Sequence, residues 1–111
     1  MKKIVMFFIT MLVFSTAQAN YCDTRGPQCW RNAAESNIGS VQYTFRQIMA
    51  TPVNDQYKQE LRRDQQRWDN EINTKCQNNR CVAENGAMRH NYLLKELREI
   101  QQLMREAKNG K

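Results

Sequence analysis

Four cysteines, Cys22, Cys29, Cys76 and Cys81, carry most of the chemistry this chain offers. Their spacings are C-x6-C and C-x4-C. Thiolates can hold zinc, but these intervals are poor zinc-knuckle spacings. An even number of cysteines in a short exported chain points instead to two disulfides. Three pairings are possible. Local pairing joins Cys22 to Cys29 and Cys76 to Cys81. Cross pairing closes longer loops and constrains the unfolded chain more, so it is the preferred expectation, with local pairing kept open.

The remaining reactive residue types do not assemble into a catalytic pattern. His90 is the only histidine and stands beside Arg89 with no partner at a recognisable spacing, so a surface or capping role is expected. The acidic residues are scattered and form no glycosidase dyad. The sequence has no phosphate-cradling glycine loop and no nucleophile motif. The expectation is a non-enzyme with no catalytic residues, no metal and no cofactor. Arg62, Arg63 and Arg67 could meet an anionic partner, but Glu60, Asp64 and Asp69 dilute them into an ordinary solvated face.

Export is inferred from the first 19 residues. Lys2 and Lys3 precede the apolar run Ile4–Phe14, and Ala17-Gln18-Ala19 supplies an A-x-A cleavage site. This is the pattern of a signal peptide over 1–19, cut after Ala19, and the run is too short for a stable anchor. Tyr21 directly before Cys22 does not suit lipoprotein processing. The expected product is residues 20–111, one small helical domain that is periplasmic or secreted, with no stable membrane anchor. It keeps 15 basic against 11 acidic residues, a formal charge of +4. Interspersed charges and export argue against nucleic acid as a partner, and leave room only for a loose affinity for anionic surfaces.

Three helical stretches must position the cysteines. The first spans about Gln28–Ala50, with Trp30, Ala34, Ile38, Val41, Phe45 and Ile48 on one face and Gly39 as a weak point. Thr51-Pro52 marks a boundary, with Thr51 as N-cap and Pro52 at the first helical position. The second helix then runs to about Gln77. Its stripe is Tyr57, Leu61, Trp68, Ile72 and Cys76, with a polar notch at Asp64 or Gln65. The turn Gln77-Asn78-Asn79-Arg80 leads to a third helix, Cys81–Lys108, with stripe Val82, Gly86, Arg89, Leu93, Leu97, Ile100, Met104 and Ala107, and a stop at Asn109-Gly110. Arg89, Arg98 and Arg105 lie among Glu96, Glu99 and Glu106, as in ordinary helix-surface pairing.

These features predict an all-α fold: a small antiparallel bundle of three main helices, stapled by disulfides at one end. In an up-down-up path all four cysteines meet at that end. Each bridge there contributes about 2–4 kcal/mol, a large share of what so small a domain can have. Trp68, Leu61 and Leu97 are the expected core anchors, with Gln65 satisfying a buried polar contact beside Trp68.

The stretch Leu61–Leu97 resembles the LprI-like family of exported bacterial proteins, named for a lysozyme inhibitor. The residues that carry the likeness are Leu61-x3-Gln65-x2-Trp68, then Cys76 and Cys81, then Tyr92 and Leu97. Cys22 and Cys29 stand where that family places a cysteine pair before its first helix. The resemblance implies protein binding, with a lysozyme-type muramidase as the implied partner. The alternative is an envelope adaptor, immunity-like factor or stress protein that does not act on lysozyme. Animal lysozymes are commonly cationic, as this chain is, so long-range attraction would not help their encounter. Inhibition would need a local element entering the cleft, and the cysteine-held turn Gln77, Asn78, Asn79 and Arg80 is the candidate.

Overall fold

The computed structural model describes residues 22–109. The expected signal segment, and Gly110 of the expected helix stop, lie outside them. Among the described residues the main elements are three helices, α1 (Pro27–Met49), α2 (Asp55–Lys75) and α3 (Asn79–Asn109), with no strand. The fold is a small helical bundle.

Local chemistry sets each boundary. Pro27 occupies the first turn of α1, where its missing N–H costs nothing, and Gly26 before it takes a positive φ of 84°. The expected cap at Thr51-Pro52 is corrected. Thr51 Oγ1 donates to the Ile48 carbonyl at 2.6 Å, so Thr51 closes α1 and does not open α2. The true N-cap is Asn54, whose Oδ1 accepts from the Tyr57 N–H at 2.8 Å. The helix two to three boundary also shifts. α2 stops at Lys75 with Cys76 extended, and α3 starts two residues earlier than expected, because Asn78 Oδ1 accepts from the Cys81 N–H at 2.8 Å.

Packing is dominated by α1 against α3, the closest-packed pair of helices. The core consists of Val41 and Ile48 from α1, Leu61 from α2, and Leu93, Leu97 and Ile100 from α3, flanked by half-buried Phe45, Met49, Val53, Tyr57 and Trp68. Near the cysteine end the α1–α3 contact uses small residues. Ala34 and Ala83 are buried, and a methyl on Gly86 would come within 3.0 Å of Asn37 Cβ. Asn37 Nδ2 donates across this seam to the Ala83 carbonyl at 2.8 Å, giving a partly buried amide its partner.

Two parts of the expected stripes change. Thr44 is 1% exposed, so a residue with a hydroxyl joins the seam. At the other end, Met104 and Leu103 are 41% and 65% exposed, and Ala107 is exposed too. Helix α3 has 31 residues and α1 has 23, so at 1.5 Å per residue the last turns of α3 outrun their partner.

The disulfides pair locally, Cys22–Cys29 and Cys76–Cys81, which overturns the expected cross pairing. Loop-closure entropy acts on the unfolded chain and does not place cysteines. Each local turn already brings its two Cα atoms to 5.4 and 5.3 Å, inside the range a disulfide spans. No described helix is long and apolar enough to cross a membrane.

Candidate functional site

Both closed turns lie at one end of the bundle, and Arg80 joins them. It sits in the first turn of α3, where its Nε donates to Glu84 Oε1 at 3.0 Å. Its Nη1 reaches Asp23 Oδ1 at 3.2 Å, and Asp23 belongs to the turn closed by Cys22–Cys29. The guanidinium also lies 5.1 Å from the centroid of Trp30, the residue after Cys29. A half-exposed clasp of this kind contributes little by itself. Its importance is geometric, because it holds the two stapled turns side by side.

The predicted contact residues therefore divide. Gln77, Asn78, Asn79 and Arg80 are all exposed. Asn78 is committed to capping α3, and Arg80 to the clasp. Gln77 and Asn79 present amides on a corner fixed by a disulfide and a helix cap. This tip can offer hydrogen bonds at low conformational cost.

The polar notch of α2 is filled from α3. Gln65 is buried, and its Oε1 accepts from Arg89 Nε at 3.0 Å. Arg89 Nη2 lies 2.8 Å from Asp64 Oδ2, an ion contact whose N–H direction is not aligned for a hydrogen bond. The guanidinium stands 5.9 Å from the Trp68 ring centroid and 5.0 Å from that of Tyr92. Only 9% of the Arg89 side chain is exposed, which corrects its expected place among surface pairs. Leu61 and Leu97 are buried in the core, and Trp68 is half-buried beside it. Arg89 thus brackets α2 onto α3.

Titratable groups near the bracket follow their burial. Tyr57 is pushed up to about 12, first by burial and then by the Glu96 carboxylate. Tyr92 is also raised by burial, and its Oη donates to Glu96 Oε1 at 3.2 Å. Burial lowers His90. No group of three His, Cys, Asp or Glu side chains among the described residues could hold a metal ion. An open groove of about 310 Å³ between α1 and α2 is lined by Gln42, Phe45, Arg46, Arg62, Gln65, Gln66 and Asp69. Arg62 therefore faces this groove, while Arg67 and Asp64 make only a loose exposed contact at 3.9 Å.

Sequence reasoning missed the bracket and the clasp. The signal for the bracket was present: a polar notch on one helix and an arginine in the apolar stripe of the next. No family model, curated protein or solved structure matches this chain.

Proposed function

We propose that this chain is an exported protein-binding module without chemistry on its partner, presenting the disulfide-stapled tip as its contact surface. The observation that carries this is the tip itself. Two closed turns are clasped by Arg80, with the exposed amides of Gln77 and Asn79 on a rigid corner. Preorganised polar loops lose little freedom on binding, and so suit recognition of a folded partner. Two disulfides fit an oxidising compartment, and periplasmic or secreted residence follows from the signal-like segment.

The partner suggested by resemblance is a lysozyme-type muramidase, with the tip entering its cleft. The test is an inhibition assay of the oxidised 20–111 chain against several lysozymes, paired with the double variant Gln77→Ala/Asn79→Ala. Inhibition that the variant loses supports the proposal. If no lysozyme is inhibited while an envelope protein is captured through the same two residues, the module is an adaptor, as in the alternative. Capture or inhibition indifferent to both substitutions refutes the tip as the contact surface.

A further inference from the structure

The two disulfides form an internal comparison. Each places its second cysteine at the third residue of a helix, Cys29 in α1 and Cys81 in α3. Four residues further on, one helical turn along, α1 has Ala33 and α3 has Asn85. Asn85 Nδ2 donates to the Cys81 carbonyl at 2.9 Å, and approaches Cys81 Sγ at 3.5 Å and Cys76 Sγ at 3.8 Å. With two N–H groups on that nitrogen, one serves the carbonyl and the other points at the sulfurs. The surroundings differ as well. Cys22 is 3% exposed and Cys29 half-buried, whereas both residues of the other bridge, Cys76 and Cys81, are half-buried at the corner.

We infer that Cys76–Cys81 is a thiol–disulfide exchange site for an external dithiol, while Cys22–Cys29 is an inert staple. A thiolate is favoured by donors aimed at its sulfur, and a better-stabilised thiolate is the better leaving group. The partner thiolate attacks Cys76 Sγ, and the Cys76–Cys81 bond breaks. Its electron pair leaves on Cys81 Sγ, beside Asn85 Nδ2 and the start of α3. The second partner thiol then attacks the partner's own sulfur in the mixed disulfide, and Cys76 is released. The partner dithiol loses two electrons and two protons and becomes a disulfide, and Cys76 and Cys81 become the dithiol. The Cys22–Cys29 bridge takes no part. This inference does not depend on the identity of the tip's partner, but opening Cys76–Cys81 would also free the corner that carries Gln77 and Asn79.

The experiment equilibrates the oxidised 20–111 chain in graded mixtures of reduced and oxidised dithiothreitol. Thiols are then alkylated, and each cysteine pair is mapped by mass. Cys76 and Cys81 are expected to be labelled at a reductant-to-oxidant ratio at least tenfold lower than Cys22 and Cys29, equivalent to about 30 mV. Asn85→Ala removes the donor and Asn85→Asp replaces it with a negative charge. Both should shift the Cys76–Cys81 midpoint several-fold toward stronger reductant and leave Cys22–Cys29 in place. Helicity by circular dichroism checks each fold, and a variant that fails to fold leaves the wild-type ordering of the two bridges and the other variant to decide. Simultaneous reduction of both bridges, earlier reduction of Cys22–Cys29, or a midpoint indifferent to both substitutions overturns the inference.

Discussion

The α1–α3 seam and the α2–α3 contact hold the same small bundle together by different means. The seam is apolar along most of its length: Val41, Ile48 and Leu93 are at most 1% exposed, and Ala34, Ala83 and Gly86 let the backbones approach near the cysteine end. Helix α2 buries only Leu61 and Gln65. Its attachment combines Leu61, flanked by Tyr57 and Trp68, with one arginine of α3 that reaches the Asp64 carboxylate, the Gln65 amide and the Trp68 ring. Non-directional burial tolerates small shifts, whereas a polar bracket requires each partner in place. The difference predicts which substitutions loosen the whole bundle and which release one helix.

The largest expected effect is on the seam. Leu93→Ala, at a site with no exposed surface, should cost about 2–5 kcal/mol in chemical denaturation. Arg89→Met keeps the apolar stem but leaves the buried Gln65 amide without its donor, and should cost about 1–3 kcal/mol. Asp64→Asn should cost less, since Asp64 is 40% exposed and water screens its share. An Asp64→Asn loss equal to that of Arg89→Met would mean that the ion contact, not the Gln65 bond, is what holds α2.

Two glycines sharpen the seam by opposite signs. Gly39 faces open space, so Gly39→Ala should stabilise by about 0.5–1 kcal/mol through helix propensity. At Gly86 the same gain meets Asn37 Cβ at 3.0 Å, a position fixed by the backbone and by the bond from Asn37 to Ala83. Gly86→Ala should therefore destabilise by about 1 kcal/mol net. Thermal midpoints moving in the same direction would contradict the close approach of α1 and α3.

The smallest effect is on pH dependence. Tyr57 holds its proton to about 12 in the folded chain, against 10.0 ordinarily. Its contribution to stability is complete below pH 10 and is lost as pH rises from 10 to about 12. His90, lowered by burial, works the other way: its contribution is present above 6.5 and lost as pH falls through its folded value. Tyr57→Phe should flatten the alkaline limb of the denaturation midpoint plotted against pH, and leave the acid limb unchanged.

The seam was legible in the sequence because Ala34, Val41, Ile48, Leu93, Leu97 and Ile100 recur with the helical period, and a period is a property of one helix. The bracket was legible only in its halves, Gln65 as a buried polar contact and Arg89 in an apolar stripe, because Arg89 and its partners Asp64 and Gln65 lie 24 or 25 positions apart on different helices and nothing in the sequence pairs them. Thr51-Pro52 and Asn54 are competing helix starts, and only the observed bonds decide between them. Met104 and Ala107 keep the period of the stripe beyond the point where α1 ends. Periodicity tells which side of a helix is apolar, but does not reveal where its partner stops. The tip was half legible. The cysteines located it, whereas the Arg80 clasp needed two segments that come together only on folding.

Native-state hydrogen exchange tests the central claim most directly, that α2 is docked by the Arg89 bracket onto a seam that holds without it. In the wild-type chain, α2 amides should exchange through openings of lower free energy than the central turns of α1 and α3. Arg89→Met should reduce protection in α2 by about tenfold or more while α1 and α3 keep theirs in those turns. Equal protection in all three helices, or a loss spread evenly over them in the variant, would contradict this account.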